Sequence, residues 1–162
     1  MRRLAGLLLI GLLMPAHAEG PVTAPGGGEP TTTLAIVVAA TDQSARADRA
    51  MIALAYRRKR QFWPDGRRIH PINLPAAHPL RLQFSNQMLG ASPAALVDYW
   101  NAEYFLGILP PYVAASPAAL VARVAGTPGA VGYVDGCTQD PRLRVLFFLH
   151  SDGRSDADAP AC

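Results

Sequence analysis

The segment from Phe62 to Phe84, FWPDGRRIHPINLPAAHPLRLQF, contains the residues best suited to bind a small ligand. A strand-like run from Arg68 to Ile72 ends in a polar residue, and a proline-broken loop then leads into a predicted helix. α/β proteins bind small anions where a strand ends beside a helix N-terminus, because free backbone N–H groups point outward there. The candidate ligand-binding groups are the side chains of Asn73, protonated His78 and Arg81, and the backbone N–H groups of Leu80 and Arg81.

Patterns typical of catalysis or metal binding are missing from the sequence. It contains no nucleophile elbow, H-E-x-x-H motif, P-loop or dinucleotide fingerprint. His150 and Asp152 lie close together, but two residues do not make a metal site. His70 is predicted to point outward from its strand, and Asp98 and Glu103 face different directions on one predicted helix. We therefore expect neither an enzyme nor a bound cofactor or metal.

The first eighteen residues have the features of a secretory signal peptide. Arg2 and Arg3 precede an apolar run from Leu4 to Met14, and Ala16-His17-Ala18 is a small-x-small cleavage site. No cysteine follows the apolar run, which argues against a lipoprotein anchor. Cleavage after Ala18 would leave 144 residues and reduce the formal charge from +3 to about +1. The sequence therefore predicts a periplasmic protein of one domain that is not strongly basic.

A short basic patch follows the first predicted helix. It consists of Arg57, Arg58, Lys59 and Arg60. Its possible partners are an anionic protein surface, phospholipid head groups or nucleic acid, of which export argues against the last. The alternative is a solvated helix end, where the helix dipole favours cations. We expect no nucleic-acid partner.

The order of strand-like and helix-like segments predicts the fold class. Residues 19–31 are rich in Pro and Gly and are predicted to be a flexible lead-in. Residues 32–150 then follow the order β-α-β-α-α-β-α-β-β, which favours a three-layer α/β domain with a mostly parallel sheet. Ser44 is predicted to cap the first helix, which would run to about Arg58. The acidic tail, residues 151–162, is predicted to be loose.

The two cysteines are Cys137 and Cys162. In an oxidising compartment an even pair favours one disulfide, which would join the C-terminal tail to the domain. The alternative is two unpaired thiols, with Cys162 at a frayed chain end.

Four segments in order resemble phosphate-type periplasmic solute-binding proteins of ABC transporters. They are the Phe62-Trp63-Pro64-Asp65-Gly66 turn, the strand end at Ile69–Asn73, the helix that reaches Phe84, and Thr127-Pro128-Gly129-Ala130-Val131-Gly132-Tyr133. The resemblance spans roughly residues 34–149 and implies one lobe of a type II periplasmic binding protein. It also implies a small oxyanion ligand such as phosphate and a membrane permease as partner.

The segment also departs from the pattern of that family. The family's strand leads through an Arg into a Ser-Gly-Thr loop, whereas here Asn73 ends the strand and the loop contains no hydroxyl. Pro79 removes one N–H donor from the helix start. The chain also has the length of a single lobe. A second hypothesis is therefore a non-transport interaction module, which would present the same fold to a membrane sensor, a transporter or another envelope protein.

Overall fold

The computed structural model describes residues 33–162. The predicted signal peptide at residues 1–18 and the predicted lead-in at residues 19–31 lie outside this range. Within residues 33–162, no helix is both long enough and apolar enough to cross a membrane.

Within residues 33–162, five strands and four helices follow the predicted order, and a sixth, short strand comes after them. The strands are β1 (Leu34–Ala39), β2 (His70–Asn73), β3 (Tyr112–Val113), β4 (Ala130–Asp135), β5 (Leu143–Leu149) and β6 (Ser155–Asp156). The helices are α1 (Arg49–Tyr56), α2 (Pro79–Phe84), α3 (Val97–Phe105) and α4 (Pro117–Gly126). A π-helical turn, Ser85–Leu89, continues α2 and ends at Gly90, whose φ is +67°.

The six strands form one mixed sheet in the order β3-β2-β4-β1-β5-β6. The predicted α/β class is confirmed, but the prediction of a mostly parallel sheet is wrong in detail. Strand β2 pairs in parallel with β3 and β4, whereas the β4–β1, β1–β5 and β5–β6 pairs are antiparallel. The continuous apolar run of β1 indicates a strand buried on both faces, and that pattern suits either strand direction.

The core lies around β1, of which every residue is buried. Helix α4 packs its apolar stripe on this sheet through Leu120, Val121 and Val124. Gly132 in β4 allows this close approach, because a Cβ there would lie 2.8 Å from side-chain carbons of Leu120 and Val124. Of the ligand-binding candidates, Asn73 ends a strand of this sheet, and the others lie at the start of α2.

Helix α1 begins later than the sequence predicted. Asp48 is its N-cap, and the Asp48 carboxylate accepts a hydrogen bond of 2.8 Å from the backbone N–H of Met51. The predicted cap, Ser44, instead donates a 2.7 Å hydrogen bond to the carboxylate of Asp65. Both residues are good N-caps, and the tertiary contact with Asp65 decides between them.

The C-terminal tail is not loose, which corrects the prediction for residues 151–162. Strand β6 pairs with the end of β5, and His150 Nε2 lies 2.7 Å from the carboxylate of Asp156. Cys137 and Cys162 form a disulfide with a Cα–Cα distance of 5.7 Å. Acidic composition does not keep this tail loose, because Asp152 and Asp156 pair with Arg154 inside the tail and Asp156 also pairs with His150 just before it.

The turn around Trp63 packs directly against the turn before β4. Trp63 is 2% exposed and donates a 3.0 Å hydrogen bond from Nε1 to the carbonyl oxygen of Gly129. Gly129 has φ +77°, and a Cβ there would overlap the carbonyl oxygen of Arg68. These two turns belong to the first and the last of the four segments that resemble the family, and this hydrogen bond joins them in the fold.

We expect Gly129→Ala to lower the free energy of unfolding by at least about 2 kcal/mol, because the backbone would be strained and the new methyl group would collide with the Arg68 carbonyl. Gly66→Ala is the matched control, since Gly66 has a φ of +86° but nothing within 4 Å of its Cβ position. It should lose only about 1 kcal/mol. Urea unfolding measures both values, and equal losses would contradict the close packing at Gly129.

Candidate functional site

Asn73, the last residue of β2, is buried and used within the fold. The Tyr133 hydroxyl accepts a 3.0 Å hydrogen bond from the backbone N–H of Leu74 and donates to Asn73 Oδ1 at 3.4 Å. The carbonyl oxygen of Asn73 accepts a 2.8 Å hydrogen bond from the backbone N–H of Ala114. Asn73 is therefore fixed between β4 and the end of β3.

His78 is the N-cap of α2. Its Nδ1 accepts a 3.2 Å hydrogen bond from the backbone N–H of Leu80, so Nδ1 carries no proton in this arrangement. The backbone N–H of Arg81 donates to the carbonyl oxygen of His78 at 2.9 Å. The backbone N–H groups of Leu80 and Arg81, which were expected to bind a ligand, thus already donate hydrogen bonds to His78. The Nε2–H of His78 remains as a donor for a ligand.

Arg81 lies on α2 with its side chain turned into the protein. The residue is 8% exposed, and its Nε and Nη1 atoms are buried. Within residues 33–162, neither atom has a hydrogen-bond partner. Burial lowers the pKa of Arg81, although the nearby phenols of Tyr133 and Tyr56 act in the opposite direction. Burying a guanidinium with two donor atoms that lack partners costs free energy. A bound anion would lower this cost, because it would neutralise the charge and accept hydrogen bonds from both atoms.

The two phenols that interact with this guanidinium group, Tyr56 and Tyr133, pack with Phe84 in one aromatic cluster. Phe84 stacks on Tyr133 with 4.1 Å between ring centroids, and Tyr56 lies 4.5 Å from Phe84. Burial raises the pKa of Tyr133 to about 12 and raises the pKa of Tyr56 well above its usual value. Both phenols therefore stay protonated near neutral pH and provide hydrogen bonds without adding negative charge.

Ser85 is a candidate site residue that the sequence analysis missed. It is fully buried, and within the described residues its Oγ has no hydrogen-bond partner. Its backbone N–H donates to the carbonyl oxygen of Arg81, which places it one turn beyond Arg81 on the same helix face. The family pattern has its hydroxyls in the loop before the helix, whereas Ser85 lies within the helical segment, and its i, i+4 spacing from Arg81 is the sequence signal for it.

Tyr133 joins two of these residues, because its hydroxyl contacts Asn73 and its phenol interacts electrostatically with Arg81. Ser85 follows one turn beyond Arg81, and His78 caps the start of the same helix. The unused groups are a guanidinium, a hydroxyl and an imidazole N–H, which all suit an oxyanion acceptor. Within residues 33–162, no group of three or more His, Cys, Asp or Glu side chains could hold a metal ion.

Comparison with solved structures shows the fold of phosphate-type solute-binding proteins. An ABC-type phosphate transport receptor from Vibrio cholerae matches with a TM-score of 0.57 and 18% identity, over 71% of this chain and 46% of that one. A putative phosphate ABC transporter substrate-binding protein from Clostridium perfringens, with bound phosphate, matches with a TM-score of 0.55 and 13% identity. That match covers 71% of this chain and 45% of the other.

These comparisons confirm the family resemblance in fold that the four sequence segments predicted. The chain spans less than half the length of each of these two proteins. No protein-family model matches the sequence, and a search of curated proteins finds no match.

We expect Arg81→Met to raise the free energy of unfolding by about 1–3 kcal/mol in buffer without oxyanions, because an unpaired buried charge is replaced by an apolar chain of similar length. Arg142→Met is the matched control, since Arg142 is exposed and pairs with Asp140. It should change stability by less than about 1 kcal/mol. Urea unfolding measures both, and a destabilised Arg81→Met protein would show that the guanidinium already has a stabilising partner.

Proposed function

We propose that this protein is a periplasmic solute-binding domain that binds a small oxyanion such as phosphate, with Arg81 as the main ligand-binding residue. The observation that carries the proposal is the buried guanidinium of Arg81, whose Nε and Nη1 have no partner within the described residues. It lies in the strand–loop–helix unit of a fold shared with two proteins named for phosphate transport. A planar guanidinium is the side chain that best matches two oxygens of a phosphate or carboxylate.

Two further donors support an oxyanion beside Arg81. The Nε2–H of His78 is not used by the helix cap, and the hydroxyl of Ser85 lies one turn away on the same helix. The backbone N–H of Leu80 would join them only if His78 released it, because His78 Nδ1 now accepts that hydrogen bond. Asn73 would act mainly by holding the loop, since its side chain accepts from Tyr133.

The proposed location and partners rest on the predicted signal peptide and on the fold. The signal peptide, cleaved after Ala18, would deliver the protein to the periplasm. The structural neighbours are named for ABC-type phosphate transport, which supports a membrane permease as partner. A sensor or another envelope protein is the alternative partner. Nucleic acid is not a partner in this proposal.

A second candidate function is a non-transport interaction module of the cell envelope. Two observations favour it. The backbone N–H groups of Leu80 and Arg81 are already satisfied by His78. In addition, Phe105 and Leu106 at the end of α3 are 87% and 73% exposed, which is unusual for large apolar side chains outside an interface.

A thermal-shift titration with phosphate and sulfate separates the two functions. Ligand that binds the native state must raise the melting temperature, by several degrees once its concentration is far above Kd. We expect this shift for the unmodified protein and its loss in Arg81→Met, where the charge and the guanidinium donors are removed. Arg142→Met should keep the full shift.

His78→Asp refines the same experiment. Aspartate is a good N-cap and preserves the bond to the Leu80 N–H, but it replaces an N–H donor by a negative charge. We expect unchanged stability without ligand and a weaker response to phosphate. If millimolar phosphate and sulfate do not change the melting temperature of the unmodified protein, the oxyanion function is rejected and the interaction module is favoured.

A further inference from the structure

A cleft lies near the start of β2, and neither Arg81 nor Ser85 lines it. Its volume is about 180 Å³, and its lining includes Arg58, His70, Leu109, Tyr112, Arg123 and Thr127. Drug-sized ligands occupy pockets of roughly 300–1,000 Å³, so this cleft suits a smaller molecule. None of the residues assigned to the oxyanion site above lines it.

Every charged side chain that lines this cleft is a cation or can become one. Arg58, His70 and Arg123 face it, and no carboxylate is among the lining residues. Arg58 Nε is buried and has no hydrogen-bond partner within the described chain. Burial, together with repulsion from Arg68, Arg58 and Arg123, lowers the pKa of His70. The cluster is therefore electrostatically unfavourable until an anion enters it.

The backbone conformation of Arg58 is also unfavourable. Arg58 has φ +60°, and among residues 33–162 it is the only residue other than glycine with a positive φ. It follows α1, where its N–H donates to Ala55 and the N–H of Lys59 donates to Leu54, so it occupies the left-handed position that ends a helix. Glycine or asparagine is the usual residue there, and other side chains cost roughly 1–2 kcal/mol. Strained backbone of this kind is often found at functional sites, and here the strained residue brings its side chain to the cleft.

The opposite wall of the cleft combines an aromatic ring with a second guanidinium. The guanidinium carbon of Arg123 lies 4.1 Å from the centroid of the Tyr112 ring. This cation–π contact keeps the positive charge of Arg123 at the cleft. Leu109 and Ile72 add apolar surface beside the ring. The cleft thus offers cations for an acidic group and an apolar wall for the rest of a ligand.

We infer that this cleft binds a small organic oxyanion, a phosphate or carboxylate group attached to an apolar portion, held by Arg58 and Arg123. Two guanidinium groups match the oxygens of such a group, and Tyr112 and Leu109 contact its apolar part. The same chemistry occurs in a free phosphate monoester and in the head group of an acidic phospholipid.

Calorimetric titration of the Arg81→Met protein with phenyl phosphate tests the inference, because that background removes the proposed phosphate site. We expect saturable binding, with inorganic phosphate at least tenfold weaker since it lacks an apolar portion. Arg58→Asn, which suits the left-handed backbone, and Arg123→Gln should each weaken binding at least tenfold. Arg60→Gln is the matched control, because Arg60 belongs to the same basic patch but does not line the cleft.

NMR of His70 supplies a local readout. A bound oxyanion offsets the repulsion from the three arginines, so the pKa of His70 should rise when phenyl phosphate binds. Flotation with vesicles of phosphatidylglycerol, compared with phosphatidylcholine, then distinguishes the source. Retention on the acidic vesicles that depends on Arg58 and Arg123 assigns a lipid head group, and binding of phenyl phosphate alone assigns a soluble ligand.

The inference is overturned if neither phenyl phosphate nor the acidic vesicles bind. It is equally overturned if the double variant Arg58→Asn/Arg123→Gln, shown by its melting curve to be folded, binds both as well as the parent does. A negative result for this cleft does not count against the proposed oxyanion site at Arg81, because the two experiments test different residues.

Discussion

The contact among Tyr56, Phe84 and Tyr133 determines how the segment after β2 lies on the sheet. The stacked rings of Phe84 and Tyr133 join α2 to β4, and the Tyr56 hydroxyl donates to the carbonyl oxygens of Ile72 and Val131, at 2.9 and 3.2 Å. Helix α1 is therefore bound to β2 and β4 through one side chain. Because the phenols of Tyr56 and Tyr133 also lie near the Arg81 guanidinium, a change in this packing alters the electrostatics of the candidate site as well.

The sequence allowed the fold class and the element order to be predicted, since they depend on local patterns. The apolar run of β1 and the Ser116-Pro117 start of α4 are both strong signals, and the structure places Ser116 as the N-cap. Strand direction was not predictable, because an apolar strand buried on both faces has the same composition in either orientation. The start of α1 was also mispredicted, because the contact of Ser44 with Asp65 joins residues 21 positions apart.

The candidate site was predictable as a region but only in part as a set of contacts. The position of Asn73, His78 and Arg81 around one strand end follows from the strand–loop–helix pattern. Which donors remain unused depends on tertiary hydrogen bonds, such as that from Tyr133 to Asn73, and on the burial of Arg81 and Ser85. The strained backbone of Arg58 is likewise invisible in the sequence, because four consecutive cations give no sign of which one adopts a left-handed conformation.

The two edges of the described sheet have a consequence for how copies of the protein behave in a concentrated environment. Each edge strand, β3 and β6, has only two residues. Pro110 and Pro111 come immediately before β3 and have no N–H to offer a neighbouring chain, while Asp152 and Arg154 place charges beside β6. Edge-to-edge pairing between molecules, the usual route from a native sheet to aggregates, therefore has little exposed backbone from which to start. The large apolar side chains exposed on α3, such as Phe105, are therefore not accompanied by a long unpaired strand at either edge of the described sheet.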